Sequence, residues 1–494
     1  MPSVNFSNIQ GNILKGFNKD NVRLIFFNIE DTDKASHWFR QLVDQKRIPS
    51  TQDLLDAAAK IKKTWKHQPN FKPRETWIHV GFSANGIVKF GLELPPSHGA
   101  YGFDQNGQIV LQNSSVVVDD TDPFKKGMAG RNIELGDIQK DDPKNWIEPF
   151  NHKLDLIDGV LRVDSDEPED ADKTTVDLLV ESSERGITSL GLQKGTAIFN
   201  PHGKQIEHFG FRDGVSQPLF KDIDDSEIAK RKIEKDIHDP KKFVLFDLPG
   251  NRRWANDGSF MVIRRLSQDF AGFWEFMNSN SLKFGLSPEG LAARFVGRWT
   301  SGAPLAKFPE FDPDLPAEFD DNDFTYLENK EEDPPHTPHP ELDDPRGEKT
   351  PRFAHIRKVY PRDDGISANA DENDEASDQH RVLRRGIPFG PLFANDPDKE
   401  RGLIFMCYQT DLEQQFEFTQ KSYANNPNFP RKDNQAHEGH GIDAIIGKHH
   451  DTGFVNLLQN NQFAKITGFK QWVTTTGGAY FFSPSIPALG NLKG

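Results

Sequence analysis

Cysteine is almost absent from this chain, with Cys407 the single one among 494 residues. One cysteine cannot form an internal disulfide, and it excludes zinc or iron–sulfur sites built from several thiolates. Long apolar runs are missing too, because no segment approaches the roughly 20 apolar residues that cross a bilayer. We therefore expect no membrane-spanning helix.

Positive charge is in deficit, since 60 Lys and Arg face 75 Asp and Glu, for a net charge of −15. This balance argues against nucleic acid or an anionic membrane as a partner. The opening residues, MPSVNFSNIQGNILKG, have neither a basic n-region nor an apolar h-region. We expect no signal peptide in the chain as given, and the compartment stays open between secreted and cytoplasmic.

Phenylalanine is abundant, and 39 Phe with 8 Trp can build a large core or a large apolar pocket. The apolar patterns predict an α+β fold in which each half begins with a strand and then a helix. The predicted strands are 21–29, 77–83, 176–182, 258–266, 402–409 and 478–483. Asp33 and Ser267 are the predicted N-caps of the two leading helices. The two similar units divide somewhere near residues 220–255.

The segment EHFGFRDGVSQP, residues 207–218, places Arg212 and Asp213 between two glycines. Gly210 and Gly214 have no Cβ, so the backbone there can turn sharply or lie against a ligand. Asp-Gly is also among the commonest turn pairs, and an ordinary surface turn is the alternative.

His355 stands in an apolar run, RFAHIRKVYPR, that is rich in arginine and lysine. A buried neutral imidazole suits haem iron as an axial ligand, and guanidinium groups suit the haem propionates. On spacing alone, a packed histidine beside a basic turn is the alternative.

Two further patterns carry candidate chemistry. In HRVLRRGIPFGP, residues 380–391, strand alternation would turn Arg384 or Arg385 inward, where an arginine needs an anion or a polar partner. Exposure of both is the alternative. The histidine pairs could in principle bind a non-haem metal, although prolines prevent a helix around the first pair. They are His336 with His339, His437 with His440, and His449 with His450.

These segments resemble those of the dye-decolorizing peroxidases, the DyP-type haem peroxidases, and especially the fungal members. GFRDG resembles the family's Gly-x-x-Asp-Gly element, AHIRKVYPR its histidine segment and LRRGIPFG its arginine segment. Further matches are NIQGNILKG (8–16), GLIFMCYQ (402–409), GIDAIIG (441–447) and GGAYFFSPSIPAL (477–489). The resemblance therefore runs from about residue 8 to residue 490.

The resemblance implies two ferredoxin-like domains with antiparallel sheets, and haem b bound between or within them. The N-terminal domain would be residues 1–225, ending with the GFRDG loop. The C-terminal domain, 226–494, would supply the histidine and the arginine of the haem site.

The resemblance also implies roles for individual residues. Asp213 matches the distal acid, His355 the proximal iron ligand, and Arg384 the distal arginine, with Arg385 the poorer match. The other matches are Asp443 as the carboxylate that accepts a hydrogen bond from the proximal histidine, Arg362 as a propionate contact, and Leu403 and Phe405 as distal-cavity residues. Tyr423 stands where members often carry a tryptophan that relays electrons, and partial burial beside Leu412 and Phe416 is its alternative.

The implied function is that of a hydrogen-peroxide-dependent oxidoreductase. It would reduce hydrogen peroxide through a ferryl intermediate and oxidise dyes, phenolic and other aromatic reductants one electron at a time, as a monomer or homodimer. An aspartate base titrates lower than a histidine base, so the optimum would be acidic. The alternative is a haem-binding or haem-handling protein without significant turnover.

Overall fold

One large antiparallel sheet contains strands from both halves of the chain. The computed structural model describes all residues except 1–3, 66–74, 104–108, 112, 114–115, 225–236, 314–321, 323, 328–342, 366–369, 431–438 and 461. The strands are β1 (Asn21–Ile29), β2 (Trp77–Phe82), β3 (Tyr101–Phe103), β4 (Ile109–Leu111), β5 (Gly159–Ser165), β6 (Ile187–Thr196), β7 (Ile198–Phe199), β8 (Gln205–Ile206), β9 (Leu219–Phe220), β10 (Ile237–His238), β11 (Ser259–Gln268), β12 (Leu383–Arg384), β13 (Ile387–Phe389), β14 (Gly402–Gln409), β15 (Phe454–Gln459), β16 (Gln462–Thr467) and β17 (Val473–Ser483).

The sheet has the order β12-β14-β11-β17-β2-β5-β1-β6, with β13 also paired to β14. Its N-terminal part, β2-β5-β1-β6, meets its C-terminal part through β17 and β2, where Phe482 pairs with Phe82. The predicted α+β class with antiparallel sheets is confirmed. The predicted domain boundary at residues 225 and 226 falls outside the described residues and stays a prediction.

Helices cover the sheet and connect its strands. The α-helices are Gly11–Leu14, Thr32–Asp44, Thr51–Trp65, Ala84–Lys89, Pro123–Gly130, Asn132–Leu135, Pro168–Ser183, Pro240–Phe243, Phe270–Asn280, Pro288–Val296, His355–Val359, Ala370–Gln379 and Ile486–Gly490, and the π-helical segments are Leu412–Glu417 and Thr419–Ala424. Within the described ranges, no helix combines the length and the apolar character that crossing a membrane requires.

Two strands of the sheet, β1 and β14, have their predicted bounds. β1 is buried on both faces between β5 and β6, as its apolar run NVRLIFFNI requires. β14 matches residues 402–409 exactly, whereas β17 begins five residues before the predicted 478. Pairing with β5 and β6 satisfies the main chain of β1, whereas burial of both faces explains why its side chains are apolar.

The predicted strand 176–182 is wrong, because these residues belong to the helix Pro168–Ser183. Its buried residues, Ala171, Thr175, Leu178 and Ser182, recur every three or four positions, which is the helical period. Val176 and Val180 are exposed, so their β-branched side chains reflect no sheet packing. The apolar run alone could not distinguish a strand from one turn of a half-buried helix.

Both predicted N-caps are displaced by two residues. Asp31, not Asp33, accepts a hydrogen bond from the Lys34 N–H. Ser267 lies inside β11, and Asp269 caps the helix that follows by accepting from the Gly272 N–H. In both cases the side chain that caps the helix is an aspartate in non-helical backbone, a favoured residue for this position.

Arg385 attaches the N-terminal segment to the sheet strand that precedes it. Its guanidinium donates to the main-chain oxygens of Ile13 and Leu14, at 3.4 and 2.6 Å, at the end of the helix Gly11–Leu14. Burial lowers the pKa of Arg385 to about 10, so the guanidinium remains charged at neutral pH. The side chain therefore satisfies the carbonyl groups that the end of a helix leaves without partners.

Gly16→Ala should test this contact. Gly16 has a φ of 72°, and a Cβ there would lie 2.6 Å from Arg385 Nε. Gly203 is the matched control, because it has the same φ of 72° with nothing within 4 Å of its Cβ position. We expect Gly203→Ala to cost about 1 kcal/mol for the left-handed backbone. Gly16→Ala should cost about 2–3 kcal/mol, because displaced guanidinium hydrogen bonds add to that term. Equal losses in urea unfolding would show that Arg385 moves aside freely.

Candidate active site

A cavity with a volume of about 240 Å³ opens beside the C-terminal part of the sheet. Most of its wall is apolar, which suits a large flat apolar ligand. Its lining includes Glu207, Phe209, Phe211, Arg212, Asp213, Arg298, Tyr326, His355, Tyr360, Arg362, His380, Arg381, Arg384, Leu403, Phe405 and Phe416. Six of the candidate site residues thus share one cavity: Asp213, His355, Arg362, Arg384, Leu403 and Phe405.

His355 begins the short helix His355–Val359 and lines the cavity. Its Nδ1 lies 2.7 Å from Oδ2 of Asp443, whose side chain is fully buried. The other carboxylate oxygen of Asp443 accepts from the N–H groups of Ile445 and Ile446. Since Nδ1 faces the carboxylate, it carries the proton and Nε2 keeps a free lone pair. Among the described residues, Nε2 has no hydrogen-bond partner.

Asp213 lies on a loop that needs its two glycines. Gly210 and Gly214 have φ values of 99° and 72°, which side chains with a Cβ rarely adopt. A carboxylate holds the start of this loop, because Glu207 accepts hydrogen bonds from the N–H groups of Phe209 and Phe211. Gln268 at the end of β11 also donates to Glu207. The loop is therefore fixed by side-chain hydrogen bonds and is not an ordinary surface turn.

Arg384 and Asp213 form an ion pair at the cavity wall. Nη1 of Arg384 lies 3.6 Å from Oδ1 of Asp213, and each side chain keeps 27% of its exposure. The second terminal nitrogen, Nη2, donates to the main-chain oxygen of Ser216 at 2.8 Å. Arg384 therefore faces the cavity, whereas Arg385 is occupied with the N-terminal helix.

Several arginines surround the same cavity. Arg362, named from the sequence, is 8% exposed, donates to the Phe324 main-chain oxygen and lies over the Phe324 ring at 4.0 Å. Arg212, which precedes Asp213 in the GFRDG segment, also lines the cavity, as do Arg298 and Arg381, which sequence reasoning missed. Arg381 stood in the HRVLRRG segment, three residues before Arg384, and that spacing was its only signal. This cationic rim suits an anionic ligand group.

Leu403 and Phe405 lie on β14 and reach the cavity, while their neighbours Ile404 and Met406 are buried on the opposite face of the sheet. Tyr423 does not line the cavity. It is 5% exposed and stacks on Phe429, with ring centroids 3.9 Å apart. Its ring also lies 5.6 Å from that of His380, which does line the cavity.

The histidine pairs offer no metal site in the part of the chain that the structure describes, where no three His, Cys, Asp or Glu side chains converge. His336, His339 and His437 fall outside the described residues. His449 is buried against Phe469, and burial lowers its pKa to about 4.

Comparison with known proteins gives consistent matches. Residues 8–197 match the model of the DyP dimeric alpha+beta barrel domain, and residues 317–435 match that of the Dyp-type peroxidase C-terminal region. A dye-decolorizing peroxidase of Mycetinis scorodonius is 30% identical over 526 residues, which cover 98% of this chain and 87% of that protein. This chain belongs to the dye-decolorizing peroxidase family.

Other relatives are similar to this chain over nearly its whole length. A multifunctional dye peroxidase of Amycolatopsis sp. is 28% identical over 98% of this chain and 95% of its own. The structure of a mutant dye-decolorizing peroxidase from Pleurotus ostreatus superimposes with a TM-score of 0.78, at 28% identity, over all of both chains. The fold is that of the family, with two ferredoxin-like domains, and the chain is a hydrogen-peroxide-dependent oxidoreductase.

The family depends on haem, and the residues of this cavity fit that group. An iron porphyrin needs a neutral nitrogen ligand, an apolar enclosure and cations for its carboxylates. The cavity contains an imidazole whose Nδ1 is bound to Asp443, apolar walls and a rim of arginines.

Glu207 should make the stability of the folded chain depend on pH, and Glu207→Gln should remove this dependence. Burial raises the pKa of Glu207 to about 7, although hydrogen bonds from Phe209, Gln268 and Phe211 oppose the shift. A raised pKa means that the folded chain holds a proton that the unfolded chain releases above about pH 4.3. This contribution to stability is complete at low pH and is lost as pH rises through 7. We expect the wild type to lose about 1 kcal/mol per pH unit relative to Glu207→Gln between pH 5 and 7.

Urea unfolding of both chains at pH 5, 6 and 7 measures this difference. Asp411, whose pKa burial also raises to about 7, is present in both chains and cancels in the comparison. Parallel stability curves would show that Glu207 is ionised in the folded chain throughout this range.

Proposed function

We propose that this chain is a haem b peroxidase that reduces hydrogen peroxide with Asp213 and Arg384 as its catalytic residues. The observation that carries the proposal is the 3.6 Å ion pair of Arg384 and Asp213 in the cavity that His355 also lines. A carrier of haem needs the histidine but has no use for a carboxylate and a guanidinium placed together. The arrangement therefore supports catalysis over the haem-handling alternative.

His355 would bind the haem iron through Nε2, since Nδ1 is hydrogen-bonded to Asp443. A carboxylate on the distant nitrogen fixes the tautomer and the ring orientation of a metal-binding histidine, and it makes the imidazole a stronger donor. Arg362 would pair with a haem propionate, and Leu403 and Phe405 would contact the haem or its distal space. Arg298 and Arg381 extend the cationic rim.

Asp213 would move the proton that peroxide cleavage requires. It takes a proton from one oxygen of hydrogen peroxide and returns it to the other oxygen, which leaves as water when the O–O bond breaks. When bound, haem supplies the electrons for that cleavage. The Asp213 loop can present its carboxylate to the cavity because Gly210 and Gly214 permit the necessary backbone.

Arg384 would stabilise negative charge on the peroxide as the bond breaks. Its guanidinium remains protonated throughout, so it acts as a fixed positive group and a hydrogen-bond donor. The bond from Nη2 to Ser216 limits its rotation. Positioned charge of this kind costs no reorganisation during the reaction.

The reducing substrates would be dyes, phenols and other aromatic compounds that give up one electron at a time. The relatives in Mycetinis and Amycolatopsis carry names that refer to dyes. The largely apolar lining of the cavity would suit small aromatic molecules.

Asp213→Asn should slow peroxide consumption by about 10²–10⁴-fold, the usual contribution of a general acid–base group, while haem content stays unchanged. Stopped-flow mixing of the haem-loaded chain with hydrogen peroxide at acidic pH measures the rate. Asp120→Asn is the control, because the Asp120 side chain is 95% exposed and lies outside the cavity lining. Equal rates for the two variants would remove Asp213 from the mechanism.

The relay hypothesis for Tyr423 stays a prediction, and its surroundings argue for packing. Burial raises the pKa of Tyr423 well above its ordinary value. A tyrosine that is oxidised must lose its proton, yet no acceptor bonds its hydroxyl among the described residues. We expect Tyr423→Phe to retain oxidation of a bulky anthraquinone dye within about twofold of wild type, relative to a simple phenol. Loss of dye oxidation alone would establish the relay.

A further inference from the structure

The loop that carries Asp213 also binds the main chain of Arg384. Oε1 of Gln217 accepts from the Arg384 N–H at 3.1 Å, and Nε2 of Gln217 donates to the Arg384 carbonyl at 3.1 Å. One side-chain amide thus bonds both main-chain groups of one residue, and the Arg384 carbonyl also accepts from Nη1 of Arg385 at 3.0 Å. This is the pattern that a neighbouring strand would otherwise supply.

Arg384 needs such a partner because β12 is a two-residue strand at the edge of the sheet. The next residue, Arg385, donates its N–H to Met406 on β14. Successive residues of a strand direct their N–H and C=O groups to opposite sides. The main-chain groups of Arg384 therefore face away from β14, and Gln217 occupies that open side.

The same loop fixes the guanidinium as well. Nη2 of Arg384 donates to the Ser216 main-chain oxygen, one residue before Gln217. On the other side of Gln217, Pro218 favours extended backbone at the residue before it. The following strand residues, Leu219 and Phe220, are buried. The contacts to Arg384 thus start from a segment that is anchored in the core.

We propose that Gln217 is a positioning residue that sets the place of Arg384 relative to Asp213. Gln217 does not line the cavity, so it acts through its neighbours and touches no substrate. The proposal rests on the proposed function, in which Asp213 and Arg384 act together on peroxide. Since a displacement of about 1 Å can cost about 100-fold in rate, loss of this amide should be visible in the reaction.

The amide is chemically specific for this contact. An ionised glutamate has no proton to donate and would place negative charge against the Arg384 carbonyl oxygen. A protonated glutamate can accept through one oxygen and donate through the other, as the amide does. Gln217→Glu should therefore recover function as the pH falls through the ordinary glutamate pKa of about 4.3.

The first test compares Gln217→Leu with Gln41→Leu in the haem-loaded chain. Gln41 is exposed on the helix Thr32–Asp44, is not among the residues that line the cavity, and provides the matched control. We expect amide hydrogen exchange at Arg384, followed by mass spectrometry, to accelerate at least about tenfold in Gln217→Leu. Peroxide consumption should slow by about 10–100-fold, and the control should match wild type in both measurements. Unchanged exchange in Gln217→Leu would overturn the contact, and an unchanged rate would overturn the positioning role.

The second test uses Gln217→Glu, which also covers the case in which Gln217→Leu does not fold. Its rate of peroxide consumption is divided by the wild-type rate at each pH from 3.5 to 6.5, so that pH effects common to both chains cancel. We expect this ratio to rise toward one at the acidic end. A ratio that does not change with pH would overturn the positioning role.

Different results would refute the proposed function and the positioning role of Gln217. If Asp213→Asn and Arg384→Met consume peroxide at the wild-type rate, the proposed function is wrong. Exchange at the Arg384 amide does not depend on catalysis, so faster exchange in Gln217→Leu would still establish the contact, and unchanged exchange would refute it.

Discussion

The hydrogen bond between His355 and Asp443 is the contact on which the site depends. At 2.7 Å, with a fully buried carboxylate, it sets the tautomer of the ring and leaves one nitrogen for the cavity. Asp443 can occupy that position because two main-chain N–H groups stabilise its other oxygen. A buried carboxylate without such partners would be too costly to retain.

The same constraint shapes the rest of the cavity, where charged groups stand beside apolar walls. Three charged groups in and beside the cavity have protein partners that hold them. Glu207 accepts from the loop main chain, Arg384 is bound by Ser216 and Gln217, and Arg385 is bound to the N-terminal helix. The chain thus uses one loop, residues 207–218, to carry Asp213 and to bind Arg384, the ion-pair partner of Asp213. This connection explains why an ionisable pair lies between two glycines.

Much of the fold was predictable from local patterns, because strands buried on both faces show continuous apolar runs. β1 and β14 have the predicted bounds for this reason. The strand prediction for 176–182 was wrong because a short apolar run fits either a strand or one side of a helix. Packing of this segment against the sheet as a helix decides between the two. The candidate residues came from a family resemblance, whereas Arg298, Arg381, Glu207 and Gln217 depend on contacts between distant segments. Such contacts leave no periodic signal in one sequence.

The most direct measurement is the absorption spectrum of the haem-loaded chain at acidic pH, before and just after one equivalent of hydrogen peroxide. The account predicts a ferric haem spectrum that changes within the mixing time and returns to its starting form after two electron equivalents of an aromatic reductant. Failure to take up haem would contradict the role of His355. Haem that peroxide only bleaches slowly would contradict the roles of Asp213 and Arg384.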